Sequence, residues 1–98
     1  SEPEKTHQVV GLTTKLLIAG TADMAPIIDA LTRIMMAGAR ERGFWSAEIN
    51  PPAAAHPEWS LVERFKSAQM AESWLQSEKR KNMLESLRAI VPGRILSS

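Results

Sequence analysis

Few side chains change their charge near neutral pH, and the clearest candidate for such chemistry lies in the middle of the chain. His56 is one of two histidines, and a histidine near neutrality can take a proton from a phenol or an enol. It precedes Pro57, and an exposed loop histidine with no such role is the plainer interpretation. Asn50 ends a predicted strand and could hydrogen-bond a ligand, although asparagine before proline is also common in turns.

Glu63 and Arg64 place opposite charges on consecutive residues of a predicted strand. Consecutive strand residues point to opposite faces, so we expect one of the two charges on a covered face. A buried charge needs a partner. Arg64 could therefore form a structural ion pair, or it could stabilise an anion in a pocket.

Composition excludes several kinds of site. The chain has no cysteine, which rules out disulfides, thiolate metal ligands and cysteine nucleophiles. Its 98 residues include 12 basic and 11 acidic side chains, a balance that gives no reason to expect binding to nucleic acid or to a membrane surface. No glycine-rich nucleotide loop, HExxH motif or carboxylate-rich metal cluster occurs, so we predict no metal and no cofactor.

No apolar run approaches the ~18–20 residues needed to cross a bilayer. The polar start of the sequence is also unlike a signal peptide. We therefore expect a cytoplasmic protein with a flexible tail at residues 1–7 and a single domain at residues 8–98.

The first half of the chain predicts a strand followed by a long helix. Residues 8–18 alternate as a strand does, with apolar side chains on both faces. Asp23 is a suitable N-cap and places Pro26 in the first helical turn. The basic bias of residues 40–42 and the glycine at Gly43 predict that the helix ends there.

The second half predicts two strands, two helices and a short last strand. The strands cover residues 44–50 and 58–65, joined by a proline-rich loop. Ser67 should cap a helix over residues 68–75, and Ser77 should cap another over residues 78–90. We expect the charged residues 78–81 to face water, and a last strand at residues 94–96.

This order of elements predicts an α+β, ferredoxin-like βαββαβ fold. Its four-stranded antiparallel sheet carries helices on one face. The other face lacks a covering element and should be apolar whichever residues point outward, with Trp45 and Trp59 on the middle strands. Such a face favours a homodimer formed through the sheet. A monomer with a partly wet sheet remains the alternative.

Two segments carry a family resemblance: WSLVERFKS at residues 59–67 and AESWLQSEKR at residues 71–80. Together with Gly43-Phe44 at the start of the second strand, they resemble the antibiotic biosynthesis monooxygenase domain family. The resemblance covers about residues 8–93. It implies a dimeric α/β barrel built from two ferredoxin-like subunits, and oxygenase activity without metal or flavin.

The resemblance also implies where a site would lie. Trp74 matches a family position on a helix that could roof a pocket between sheet and helices, although it could equally anchor the core. The residues predicted for catalysis are Trp74, Arg64 and His56, and those for the ligand pocket are Trp74, Met70, Asn50 and Trp59. Of these, His56, Asn50 and Trp59 are candidates from their residue types and positions, not from the resemblance. Two positions depart from the family pattern. Leu84 stands where the haem-degrading branch has histidine, and Met70 where some polyketide oxygenases have asparagine.

Three functions follow as hypotheses. The first is a cofactor-independent monooxygenase-like protein acting on an aromatic, quinol or polyketide-type molecule, because an electron-rich substrate can reduce oxygen itself in a dry pocket. The second is a non-catalytic module of the same fold that binds a small molecule or serves a stress response. The third is a cyclase or isomerase, which would need His56 or Glu63 to reach the pocket.

Overall fold

The computed structural model describes residues 9–18, 24–55, 57–90 and 93–97, with side chains described in these ranges except at 16–18 and 93–97. The predicted tail and the predicted N-cap Asp23 lie outside them. The strands are β1 (Val10–Ile18), β2 (Phe44–Asn50), β3 (Trp59–Phe65) and β4 (Gly93–Ser97). The helices are α1 (Met24–Gly38), α2 (Ala68–Leu75) and α3 (Glu78–Ile90).

The strands form one sheet in the order β2-β3-β1-β4. Each neighbouring pair is antiparallel, and in this register both Leu12 of β1 and Ala47 of β2 stand opposite Glu63 of β3. The central strands are therefore β3 and β1. The predicted α+β class with an antiparallel sheet is confirmed.

Two serines start the last two helices, as the sequence predicts. The Ser67 hydroxyl accepts a hydrogen bond from the backbone N–H of Met70 at 3.2 Å. The Ser77 hydroxyl accepts one from the backbone N–H of Arg80 at 3.1 Å. Each cap satisfies an N–H that the first helical turn leaves without a partner, so the helices begin at Ala68 and Glu78.

The end of α1 differs from the prediction. The helix ends at Gly38, and residues 39–43 form turns in which the Glu41 N–H donates to the Gly38 carbonyl at 2.9 Å. The apolar stripe stops at Gly38, so no packing supports further helix. Gly43 has a φ of +84°, a conformation that glycine adopts without strain as the chain enters β2.

The helices cover one side of the sheet, called here the helix side. Alternate residues of β3, from Trp59 to Phe65, are buried on it. Phe44 packs edge-to-face on Phe65, with ring centroids 5.9 Å apart. The remaining apolar core comes from α1, α2, α3 and β1: Leu12, Ile27, Leu31, Ile34, Ala37, Ala71, Trp74, Leu84 and Leu87.

On the opposite side, called here the open face, the described side chains are polar except for Val62, so the expectation of an apolar face is wrong for them. By strand register it carries Gly11, Thr13, Lys15, Ser46, Glu48, Asn50, Ser60, Val62 and Arg64. Trp59 lies on the helix side and is 3% exposed. Trp45 sits where the register shifts between Phe44 and Ser46, and is 59% exposed. This β-bulge turns Phe44 to the helix side, against simple alternation.

Candidate functional site

Four polar or hydrogen-bonding side chains meet inside the apolar core and form what we call the buried cluster: Thr14, Glu63, Trp74 and Arg80. Each is at most 1% exposed. They come from β1, β3, α2 and α3 respectively. Burying a charged group costs much free energy unless the group is paired. The partners of Glu63 and Arg80 therefore decide whether either side chain can contact a ligand.

Hydrogen bonds close the buried cluster. The Trp74 Nε1–H donates to one Glu63 carboxylate oxygen at 2.8 Å. Arg80 donates from Nη2 to the Thr14 hydroxyl at 2.9 Å, and the same nitrogen lies 3.5 Å from the other Glu63 oxygen. Both oxygens of the carboxylate are thus engaged by side chains of the protein itself.

Burial raises the pKa of Glu63, because the charged carboxylate is taken out of water. The hydrogen bond from Trp74, and the charge and hydrogen bond of Arg80, oppose this rise and lower the pKa in part. Desolvation prevails, and the carboxyl group holds its proton to higher pH than an exposed glutamate does.

Gly38 lets α1 close over the buried cluster. A Cβ placed there would lie 2.9 Å from a Glu63 oxygen and 3.1 Å from Trp74 Nε1. Helix, indole and carboxylate are therefore in direct contact, with no room for a ligand between them. Trp74 is placed as a core anchor, and its N–H is already engaged by Glu63.

A second feature lies on the open face. Lys15, Asn50, Glu58 and Ser60 line a polar cleft of about 440 Å³. The Asn50 amide donates to the Ser60 hydroxyl at 3.2 Å, and Lys15 Nζ lies 3.9 Å from a Glu58 oxygen. Each of these four described side chains is polar, so the cleft suits a hydrophilic neighbour better than an apolar ligand.

A third feature is a groove of about 400 Å³ between the two longest helices, called here the α1–α3 groove. Its walls are one stripe of α1 and one stripe of α3: Pro26, Asp29, Ala30, Arg33 and Ile34, facing Met83, Ser86, Leu87 and Ile90. Ile34 and Leu87 are buried at its base. We attribute the space to the small side chains of Ala30 and Ser86, which do not fill the gap between the helices.

One ion pair stands on the α1 wall of this groove. Arg33 Nη2 lies 2.8 Å from Asp29 Oδ2, one helical turn away, and both side chains are mostly exposed. Among the described lining residues, the others are apolar apart from Ser86. The α1–α3 groove thus combines an apolar base with one donor–acceptor pair, an arrangement typical of small-molecule sites.

The residues predicted for a site are not brought together. Trp74 and Trp59 lie in the core on the helix side, whereas Asn50 and Arg64 lie on the open face. Arg64 pairs there with Glu48 at 3.4 Å. Met70 lines a separate pocket of about 250 Å³ with Glu41, Arg42, Gln69 and Ser73. His56 lies outside the described residues.

Thr14 and Arg80 of the buried cluster were not among the residues predicted for a site. The prediction that residues 78–81 face water is wrong for Arg80, which is 1% exposed. Its spacing to Leu84 and Leu87, at i+4 and i+7, puts all three on one helical stripe. That spacing was the available signal. Asp29 and Arg33 of the α1–α3 groove were not predicted as site residues either.

Among the described side chains, no group of three or more histidine, aspartate or glutamate residues is placed to hold a metal ion. The helices in the described ranges include none long and apolar enough to span a bilayer.

No family model matches this sequence, and no curated protein matches it either. Solved structures do share its fold. SnoaB, a cofactor-independent oxygenase from Streptomyces nogalater, superposes with a TM-score of 0.72 at 13% identity, over 92% of this chain and 90% of that one. Rv0793 from Mycobacterium tuberculosis gives 0.67 at 17% identity, over 93% of each chain.

A Caulobacter crescentus protein provisionally described as an antibiotic biosynthesis monooxygenase gives a TM-score of 0.63 at 10% identity, over 99% of this chain and 92% of that one. Sequence identities this low establish similarity of fold alone. At that level, the resemblance to antibiotic biosynthesis monooxygenases drawn from residues 59–80 is confirmed.

Proposed function

We propose that this chain is a cofactor-independent, monooxygenase-like protein acting on an aromatic, quinol or polyketide-type molecule held in the α1–α3 groove. The observation that carries the proposal is the groove itself, a ligand-sized apolar space in a fold that includes the oxygenase SnoaB. Its volume of about 400 Å³ lies within the usual range for small-molecule sites.

The lining of the groove suits a flat apolar ring system. Ile34 and Leu87 present a rigid buried base, and Met83 can adapt its unbranched side chain to the ligand. A bound ring would exclude water from this base, and an anion formed on the substrate would then be less solvated. These are the conditions under which an electron-rich substrate can pass electrons to oxygen.

The reaction balances without a further reductant. An activated CH₂ group, such as that of an anthrone, loses a proton and gives electrons to O₂. One oxygen atom becomes the new carbonyl oxygen and the other leaves as water, so that R₂CH₂ and O₂ yield R₂C=O and H₂O. The substrate supplies all the electrons.

The test is oxygen uptake with anthrone and a panel of hydroquinones. Ser86→Met should fill the groove and lower protein-dependent uptake at least about tenfold, since it blocks the ligand rather than the fold. Ala89→Met adds similar bulk at an exposed α3 position outside the groove and should leave uptake unchanged. Folded protein that gives no uptake across the panel would overturn the proposed oxygenase activity.

The second candidate is a non-catalytic binding module, and the closed buried cluster favours it. Glu63 and Trp74 are engaged with each other, so neither supplies a polar group to a ligand. Saturable binding of the same aromatic compounds, blocked by Ser86→Met and without oxygen uptake, would select this function. The cyclase or isomerase hypothesis loses Glu63 for the same reason, and its His56 version stays a prediction.

Pairing of two copies through the open face remains a proposal. Because the described side chains of this face are mostly polar, the proposed contact would depend on charge. Lys15 and Arg64 balance Glu48 and Glu58 there, so the face can complement a second copy of itself by charge. Sedimentation should show a dimer that weakens with salt and with Glu48→Arg, but not with Glu72→Arg on α2. A monomer at all concentrations, or a dimer indifferent to Glu48→Arg, would refute it.

A further inference from the structure

Asp29 and Arg33 give the α1–α3 groove a chemical preference. We infer that together they recognise an uncharged hydroxyl group on an aromatic ligand, so that the site selects phenols. The inference rests on the proposed function in one respect, the use of this groove for a small aromatic molecule. It does not depend on any reaction with oxygen.

The two side chains share one wall. They are one turn apart on α1, on the stripe that also carries Ala30 and Ile34. Their ion pair joins one carboxylate oxygen to one guanidinium nitrogen at 2.8 Å. A carboxylate accepts several hydrogen bonds and a guanidinium donates up to five, so this single contact leaves capacity on both groups.

The paired charges discriminate among ligands. A carboxylate drawn to Arg33 would also be repelled by Asp29, and an ammonium group would meet the reverse problem. A neutral hydroxyl meets no such conflict, because it can donate to Asp29 and accept from Arg33. Hydrogen bonds to charged groups are stronger than hydrogen bonds between neutral groups, so this pair would bind a hydroxyl group selectively.

The rest of the lining limits the ligand to an otherwise apolar body. Ser86 is the one other polar residue among the lining residues described. A sugar or another molecule with many hydroxyl groups would leave most of them facing Ile34, Met83 and Leu87 without partners, at a cost for each. An aromatic ring system with a hydroxyl at its edge can pack against the apolar base of the groove and hydrogen-bond to the ion pair on the α1 wall.

The experiment compares three ligands that share one ring system: 2-naphthol, its methyl ether and 2-naphthoate. Backbone amide shifts of isotope-labelled protein are followed by NMR without oxygen. We expect shifts along α1 and α3, with 2-naphthol bound about fivefold more tightly than the ether, as one partly exposed hydrogen bond would give. The naphthoate should gain no such advantage.

Variants locate the preference. Asp29→Ala and Arg33→Met should each bring the naphthol-to-ether ratio below about twofold while leaving ether binding nearly unchanged. Ser86→Met should abolish binding of both compounds, and Ala89→Met should affect neither. Asp29 and Arg33 are mostly exposed, so their replacement spares the fold, which thermal melting of each variant verifies.

Equal affinity for naphthol and ether, tighter binding of naphthoate, or binding that survives Ser86→Met would overturn the inference. Absence of binding by all three compounds would overturn it too. A preference for naphthol without oxygen uptake from any substrate would refute the oxygenase proposal alone. Groove-dependent uptake without that preference would refute this inference alone.

Discussion

The two faces of the sheet handle charge in opposite ways, and consecutive residues of β3 show it. Glu63 points to the helix side, where it is fully buried and held by Trp74 and Arg80. Arg64 points to the open face, where it meets Glu48 at 3.4 Å with both side chains partly in water. Water solvates part of the Arg64 charge, whereas the buried Glu63 carboxylate depends on two side chains of the protein, Trp74 and Arg80.

The difference teaches that ion pairs of similar length are not equivalent. The Arg80–Glu63 and Arg64–Glu48 contacts measure 3.5 and 3.4 Å. Removing one partner of a buried pair costs about 3–5 kcal/mol, because a charge is left without compensation in the interior. Exposed pairs contribute about 0–1 kcal/mol, since water replaces the lost partner.

The largest expected effect comes from replacing the arginine on each side by methionine. Arg80→Met should lower the free energy of unfolding by about 3–5 kcal/mol, whereas Arg64→Met should change it by less than about 1 kcal/mol. Urea unfolding at neutral pH measures both. Because the substitution is the same, loss of the aliphatic stem is controlled. Similar costs on the two faces would contradict the comparison.

A smaller effect is expected from adding one methyl group on each side. Gly38→Ala forces a Cβ against the Glu63–Trp74 hydrogen bond and should destabilise the protein by about 1–2 kcal/mol, since overpacking outweighs alanine's better helix propensity. Gly11→Ala on the open face meets nothing closer than a carbonyl oxygen at 4.0 Å. It should be neutral or stabilising.

Thermal or urea unfolding distinguishes these two variants. A neutral Gly38→Ala would show that α1 can move away from the buried cluster at little cost. In that event the space above Trp74 would be accessible to a ligand after all, and the placement of the site in the α1–α3 groove would need revision.

The smallest expected effect is a pH dependence. Burial raises the pKa of Glu63 above its ordinary value of 4.5. At pH values between 4.5 and this raised pKa, the folded protein therefore holds a proton that the unfolded chain has released. The contribution of Glu63 to stability is therefore greatest at low pH and falls as pH rises through this window. Urea unfolding across a pH series should show this slope in the native protein and not in Glu63→Gln. A free energy of unfolding that rises with pH in the native protein, relative to Glu63→Gln, would contradict this prediction.

Much of the fold could be predicted because its signals are local. Ser67 and Ser77 mark helix starts through hydrogen bonds within three residues, and alternation along β3 indicated that either Glu63 or Arg64 lies on a covered face. A buried charge needs a partner, so the sequence indicated that one existed. It did not indicate Arg80, which lies 17 residues away in the chain.

The remaining features depend on distant parts of the chain. The bulge at Trp45 is defined by pairing with β3, so alternation within β2 alone does not show that Phe44 lies on the helix side. The α1–α3 groove arises where two apolar stripes meet around Ala30 and Ser86. Each stripe alone indicates only a core-facing helix. The residues predicted for a site lie on both faces of the sheet, because which of them come together depends on contacts between distant parts of the chain.

The bulge at Trp45 has a consequence for the aggregation of the protein through its sheet edge. Strand β2 is an edge of the sheet, and a straight edge exposes backbone groups that can template further strands and begin aggregation. The irregular spacing between Phe44 and Ser46 interrupts that row and adds twist near the start of the strand. An exposed tryptophan on a regular edge would invite fibril growth. Here the same residue occupies the position where edge-to-edge strand addition is disrupted.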